Sequence, residues 1–240
     1  MPDDSLTFPA LTADEIAAVD RAMFSVCGLD VLQIMEVAGR AVASWVRKEM
    51  FGGDCSGRRV LVLCGTGGNG GDGMVAARYL AGWGATAAVA LAARPEHDSV
   101  TAHQLRVVEA LNIPVSEPDA FSGIPEPDLI IDGLLGFSGS GNPRGEVARL
   151  IELANNRQGP TVAIDLPSGL DATTGIVNSP CIRATATITL GLPKTGLLAE
   201  AARLVTGRVV VADIGIPNLA FRRAGVEPPD ITWTDDWLPM

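Results

Sequence analysis

The 240-residue chain carries a formal net charge of −10 and is 47% hydrophobic but only 5% aromatic. That acidic balance, with no basic run, argues against binding a nucleic-acid backbone or an anionic membrane surface. The longest apolar runs are strand-length, too short to cross a bilayer, and the length suits one α/β domain, read as residues 1–240.

The start, "MPDDSLTFPALTADE", is acidic and lacks the charged-then-apolar order of a leader. Cys27, Cys55, Cys64 and Cys181 show no metal spacing, so they read as reduced thiols and point to the cytoplasm. Thr12 with Glu15 three places on is a capping box for a helix over 12–22, with Leu11 as its staple. A second helix is predicted from Val31 to Met50, where Leu32, Met35, Val42 and Val46 recur at helical spacing. The two helices carry so many apolar residues that one sheet face is not expected to absorb them all. The surplus predicts a homodimer interface within 12–50.

Beyond Arg58 the pattern changes. Apolar runs at 60–64, 86–91, 129–135, 161–166, 185–190 and 208–213, with a shorter "IPVS" at 113–116, predict strands. Helical patterns at 72–83, 98–111 and 144–156 separate several of them. Strands alternating with helices define βαβ units and a mostly parallel sheet. In such sheets the ligand lies beyond the carboxyl ends of the strands, near the switch in strand order. The segments that follow the strands are therefore where chemistry is expected.

The first is "GTGGNGGDG", residues 65–73. Gly65, Gly67 and Gly70 satisfy the dinucleotide fingerprint, a weak signal alone. Six glycines in nine residues is more than a turn needs, which favours close approach of backbone to a phosphate. Asp72 reads either as a cap of the next helix or as part of the site. The second segment, "DGLLGFSGSGNPRG", begins at Asp132, and the third, "DLPSGLDATTG", at Asp165; each acid follows an apolar strand. With Asn69, the two acids supply oxygen ligands for a hard cation or an acid–base pair. Asp171 is expected to form an Asx-turn with "DATTG". Lys194, in "GLPKTGLL", reads equally as a phosphate contact or an exposed lysine. His97 and His103 follow no strand and read as solvated. Ser168 has no G-x-S-x-G context, and the glycine loop lacks the G-K-[ST] ending of a nucleotide triphosphatase.

"GNGGDGMVAARYL", "IIDGLLGFSGSGNPRG", "AIDLPSGLDATTG" and "LGLPKTGLL" occur in that order. The set resembles the NAD(P)H-hydrate epimerase family, the YjeF N-terminal domain, over residues 10–217. One departure is Val37, in "MEVAGRA", where many family members have Asn. The resemblance implies a three-layer α/β/α sandwich, Rossmann-like, with a mostly parallel sheet and N-terminal helices. It implies interconversion of the R and S epimers of hydrated NADH and NADPH (NADHX and NADPHX), with a separate NAD(P)H-hydrate dehydratase as functional partner, and a homodimer. It implies a potassium ion held by Asn69, Asp132 and Ser168. Substrate contacts are implied at Gly68, Asn69, Gly70, Gly71 and Asp72, at Gly136, Phe137, Ser138, Gly139, Ser140, Gly141 and Asn142, and at Asp165, the candidate acid–base residue. The other classes considered are an NAD(P)-dependent oxidoreductase, disfavoured by Arg94 where a ribose-binding acid is expected, and a non-catalytic interaction module. The terminal "DDWLP" reads as a tail or the remnant of a junction.

Overall fold

A computed structural model describes residues 8–117 and 126–240. The capping box forms as expected: the Thr12 side chain accepts from the Glu15 N–H and Glu15 reaches back to the Thr12 N–H, opening α1 (Ala13–Ser25). Leu11 and Ile16 share one apolar cluster, as a staple requires. Asp30 and Gln33 make a second box at the start of α2 (Val31–Trp45), which continues through a π-turn at Val46–Met50.

The strands are β1 (Arg59–Cys64), β2 (Thr86–Leu91), β3 (Val115–Ser116), β4 (Leu129–Gly133), β5 (Thr161–Ile164), β6 (Ala186–Leu190), β7 (Arg208–Ala212) and β8 (Trp237–Pro239). They form one sheet in the order β3-β2-β1-β4-β5-β6-β7-β8. The pairing is parallel from β3 to β7, and β8 runs antiparallel to β7. The "DDWLP" segment is therefore an edge strand, not a tail. The intervening helices are α3 (Gly68–Gly82), α4 (Val100–Ala110), α5 (Gly145–Asn156), α6 (Arg203–Thr206) and α7 (Asn218–Arg223).

Alternation along the strands sets the layers. On β1, Val60 and Val62 face a core built with α2, α3 and α4, while Leu61 and Leu63 face α5. Helices thus cover both faces of a parallel sheet, the expected α/β/α sandwich.

The N-terminal helices depart from expectation. Met35, Val42 and Trp45 of α2 are buried within the chain, and α2 contributes to the same core as α3. Ile16, Val19 and Met23 of α1 pack with Phe221 of α7. One chain covers most of this apolar surface, so the surplus inferred from sequence is largely absorbed. Val37 stays exposed on α2.

The strand order switches between β1 and β4: one branch runs outward from β1 through β2 to β3, the other from β4 to β7. A crevice beyond the carboxyl ends of β1 and β4 is where such a sheet binds its ligand.

Candidate active site

A cavity of about 720 Å³ occupies that position, large enough for a nucleotide. One wall is made by strand ends: the Gly65–Asn69 segment after β1, Leu134–Gly139 after β4, Asp165 after β5 and Lys194 after β6. The facing wall is made by α1 and α2, through residues that include Ile16, Asp20, Met23 and Met35.

The glycine segment is not the loop its composition suggests. α3 begins at Gly68 with Gly67 as N-cap, so Asn69, Gly70, Gly71 and Asp72 all lie in the helix, and Asp72 is not its cap. None of these glycines has a left-handed backbone. Packing requires three of them instead: a Cβ on Gly65 would overlap the Leu134 carbonyl, one on Gly70 the Gly65 carbonyl, and one on Gly71 the Met35 thioether. A Cβ on Gly67 or Gly68 would meet nothing within 4 Å. These two border the cavity, and no side chain caps the helix start. The first amides of α3 are thus placed to receive an anionic group.

Asp165 sits at a strained turn. Its φ of +68° is left-handed, a conformation that costs a non-glycine residue energy and is held only by its surroundings. Its N–H still donates to Ile188 of β6, at 2.8 Å. The turn buries the side chain, which accepts three hydrogen bonds: Oδ1 takes the Lys194 ammonium and the Leu190 N–H at 3.3 Å, and Oδ2 takes the Phe137 N–H at 3.2 Å.

Lys194 is neither an exposed lysine nor a phosphate contact standing alone. It is 1% exposed, and its ammonium also donates to the Leu190 carbonyl at 2.9 Å. Leu11 brackets it, accepting from Thr195 and donating to Pro193 at 2.9 Å each. The lysine is thus fixed between the β6 end and the chain leading into α1.

Asp132 is fully buried at the end of β4. Its Oδ1 accepts from the Ser168 hydroxyl at 2.6 Å and its Oδ2 from the Ser168 N–H at 2.8 Å. The Leu135 N–H closes the group by donating to Ser168 Oγ at 2.9 Å. Burial pushes the Asp132 carboxyl up to about 6, against the lowering effect of these hydrogen bonds. The Asn69 amide spans the same region, donating to the Leu135 carbonyl at 2.9 Å and the Ile164 carbonyl at 3.2 Å. Asn69, Asp132 and Ser168 are therefore brought together at the ends of β1, β4 and β5.

Of the remaining expected contacts, Gly136, Phe137, Ser138 and Gly139 line the cavity, as does Asp72. Ser140, Gly141 and Asn142 do not; Asn142 instead accepts from the Ser179 N–H at 3.1 Å. Asp171 forms its Asx-turn, accepting from the Thr173 and Thr174 N–H groups at 3.1 and 2.8 Å. His97 is exposed, and its ring pairs with the neighbouring Asp98. Arg94 is engaged by Glu109 and Glu117.

Several charged residues of the cavity went unread in the sequence: Asp20 of α1, Arg144 and Glu146 at the start of α5, and Lys194 as the partner of Asp165. Asp20 did leave a signal. It lies on the apolar stripe Ile16–Val19–Met23, where a solvated acid does not belong.

This fold and cavity define a Rossmann-like protein with a nucleotide-sized site at the strand switch. The model of the family described as YjeF-related protein N-terminus matches residues 31–196, and the chain belongs to that family. It is 36% identical over 217 residues to an NAD(P)H-hydrate epimerase of Dehalogenimonas lykanthroporepellens, covering 90% of this chain and 86% of that one. It is 40% identical over 216 residues to a bifunctional NAD(P)H-hydrate repair enzyme of Moorella thermoacetica, covering 87% of this chain but only 41% of that one. The crystal structure of yeast ynu0 superimposes with a TM-score of 0.80 at 27% identity, covering 97% of this chain and all of that one.

Proposed function

We propose that this protein is an NAD(P)H-hydrate epimerase, an isomerase that interconverts the R and S epimers of hydrated NADH and NADPH. The observation that carries the reading is the Asp165–Lys194 pair, buried at the strand-end wall of a nucleotide-sized cavity, in a chain whose relatives of similar length are named for that reaction. The hydrate is a carbinolamine: its hydroxyl sits on the ring carbon beside the ring nitrogen. Moving that hydroxyl to the other face, or opening and reclosing the ring, requires a proton carried on and off oxygen. Asp165 is the acid–base residue in this reading. The open start of α3 takes the diphosphate through its N–H groups, and Gly136–Gly139 form the adjoining wall.

A potassium ion is part of the proposal, at Asn69, Asp132 and Ser168. The donor set fits a hard cation: a carboxylate, a hydroxyl, an amide and the Leu135 and Ile164 carbonyls that the Asn69 amide now engages. When bound, the ion would supply positive charge that ties three strand-end segments together and offsets the crowding of carboxylates with an anionic substrate. Asn69, Asp132 and Ser168 themselves hold the loop carrying Leu135 and Gly136 against the cavity.

The S epimer would pass to a dehydratase; bifunctional relatives have names that place repair of the hydrates in one longer chain. The reading takes residues 1–240 as one epimerase unit. A cytoplasmic setting is supported by the four free cysteines, and among the described residues no helix is long and apolar enough to cross a membrane. The homodimer now rests on family resemblance, because α1 and α2 bury most of their apolar residues within the chain. Light scattering decides it: a single species near the 24.9 kDa chain mass at micromolar concentration removes the dimer from the reading.

The test of the activity is direct. Purified R-hydrate incubated with the protein is expected to yield the S form by chromatography, faster than in a protein-free control. An unchanged epimer ratio overturns the proposal.

A further inference from the structure

We infer that Asp20, on the helical wall of the cavity, is a second acid–base residue of the reaction, acting across the substrate ring from Asp165; the inference rests on the epimerase reading above. By the hydroxyl-loss route, epimerisation needs a proton given to oxygen on one face of the ring and taken from oxygen on the other, since water leaves one face and adds to the other. Two groups on different walls answer that need better than one.

Asp165 is suited to only one of the two roles. Both its oxygens accept hydrogen bonds, from the Lys194 ammonium and from two backbone N–H groups. Those donors fix the side chain against the strand-end wall, so it meets the substrate ring from that wall alone. Asp20 is the complement. It lines the same cavity from α1, on the stripe otherwise occupied by Ile16, Val19 and Met23. Among the described residues its carboxyl has no hydrogen-bond or ion-pair partner.

The charged groups that act on Asp20 are Lys194 and Asp165 on the strand-end wall, Arg21 beside it on α1, and Asp72 on α3. Burial dominates and pushes Asp20 up to about 6; Lys194 and Arg21 oppose that and Asp165 adds to it. Asp72 is held well above the usual carboxylate range by burial and by the charges of Asp165 and Asp20. The helical side of the cavity thus carries two carboxyl groups that hold their protons to higher pH than ordinary carboxylates do.

From the R to the S form, the Asp20 acid gives its proton to the hydroxyl oxygen as the carbon–oxygen bond breaks. The bonding pair stays on oxygen, water leaves, and the ring-nitrogen lone pair forms the carbon–nitrogen double bond. A second water adds from the other face, and the double-bond pair returns to nitrogen. The extra proton of that water passes to the Asp165 carboxylate. One proton has left Asp20 and one has arrived at Asp165; the reverse direction uses the two residues in exchanged roles, and proton exchange with solvent restores both before a further turnover in the same direction.

The experiment compares wild type with Asp20→Asn and Asp20→Glu on purified R-hydrate, across pH 5 to 9. Asp20→Asn is expected to lower kcat by about 100-fold or more, with KM changed only a few-fold, and Asp20→Glu to regain part of the loss. In wild type kcat/KM is expected to fall as pH rises above about 6, where Asp20 loses its proton; in Asp20→Asn that limb is expected to vanish. A role in folding alone would not produce this pattern, because it would leave the pH limb of kcat/KM in place. An Asp20→Asn protein within a few-fold of wild type, or one with the limb unchanged, overturns the inference and leaves the epimerase reading standing. Wild type without activity in the same assay overturns both.

Discussion

The Lys194 ammonium donates to Asp165 Oδ1 with side chains that are 2% and 5% exposed, so an ion pair with almost no access to water stands at the edge of the cavity. Removing one partner of such a pair leaves an uncompensated charge in a poorly solvated place, typically at about 3–5 kcal/mol. Lys194→Met is therefore expected to destabilise the fold by about that amount. Asp165→Asn is expected to destabilise it in the same direction, and the double variant to recover part of the loss. Thermal melts of the four proteins form a double-mutant cycle. Strict additivity would show that the two residues are not coupled.

Asp165→Asn also tests the chemistry. It keeps the shape of the side chain but removes the proton acceptor, so epimerisation is expected to fall by about 100-fold or more, with binding of R-hydrate retained. Activity within a few-fold of wild type, in protein shown to be folded, would remove Asp165 from the acid–base role.

The glycine segment makes a paired prediction. Gly70→Ala drives a methyl group into the Gly65 carbonyl, backbone against backbone, and is expected to cost about 1–3 kcal/mol as overpacking does. Gly68→Ala meets nothing within 4 Å and lies in the first turn of α3. It is expected to melt at or slightly above wild type, since alanine is the better helix former. Equal melting temperatures for the two variants would show that the close approach at Gly70 is not a constraint.

Burial raises both Asp20 and Asp72 above the ordinary carboxylate value of 3.8, Asp20 to about 6. The folded chain therefore holds these protons more tightly than the unfolded chain. Their contribution to stability is complete below pH 3.8 and is lost as pH rises through 6 and beyond. The difference in melting temperature between Asp20→Asn and wild type is expected to be near zero at pH 4 and to grow to several degrees in favour of the variant by pH 7. A difference that does not change with pH would show that Asp20 does not titrate in this window.

Potassium supplies a last prediction. A ligand that binds only the folded state stabilises it by mass action, so melting is expected to rise with KCl more than with choline chloride at equal ionic strength. Asp132→Asn is expected to abolish the difference. Identical melting in both salts with wild type would count against the ion.

The parts legible in the sequence are those with a local physical cause. Apolar runs ending in Asp132 and Asp165 marked β4 and β5 because a strand buried on both faces is mostly apolar along its length. The Thr12–Glu15 box and the Asp171 turn were readable because their partners lie within three residues. What only the tertiary structure decided depends on residues distant in the chain. The start of α3 was hidden because glycine has low helix propensity, and only contacts with Gly65 and Met35 make those glycines necessary there. β8 was too short to read until β7 gave it hydrogen-bond partners. The covering of α1 and α2 required α7 and α3, distant elements with no mark in the helices' own periodicity. Lys194 gave no sign of burial, since nothing near it in sequence neutralises an ammonium; its counter-charge, Asp165, arrives from 29 residues away. Electrostatic pairing across strand ends is a property of the assembled sheet, and a sequence can name the charges without saying which of them meet.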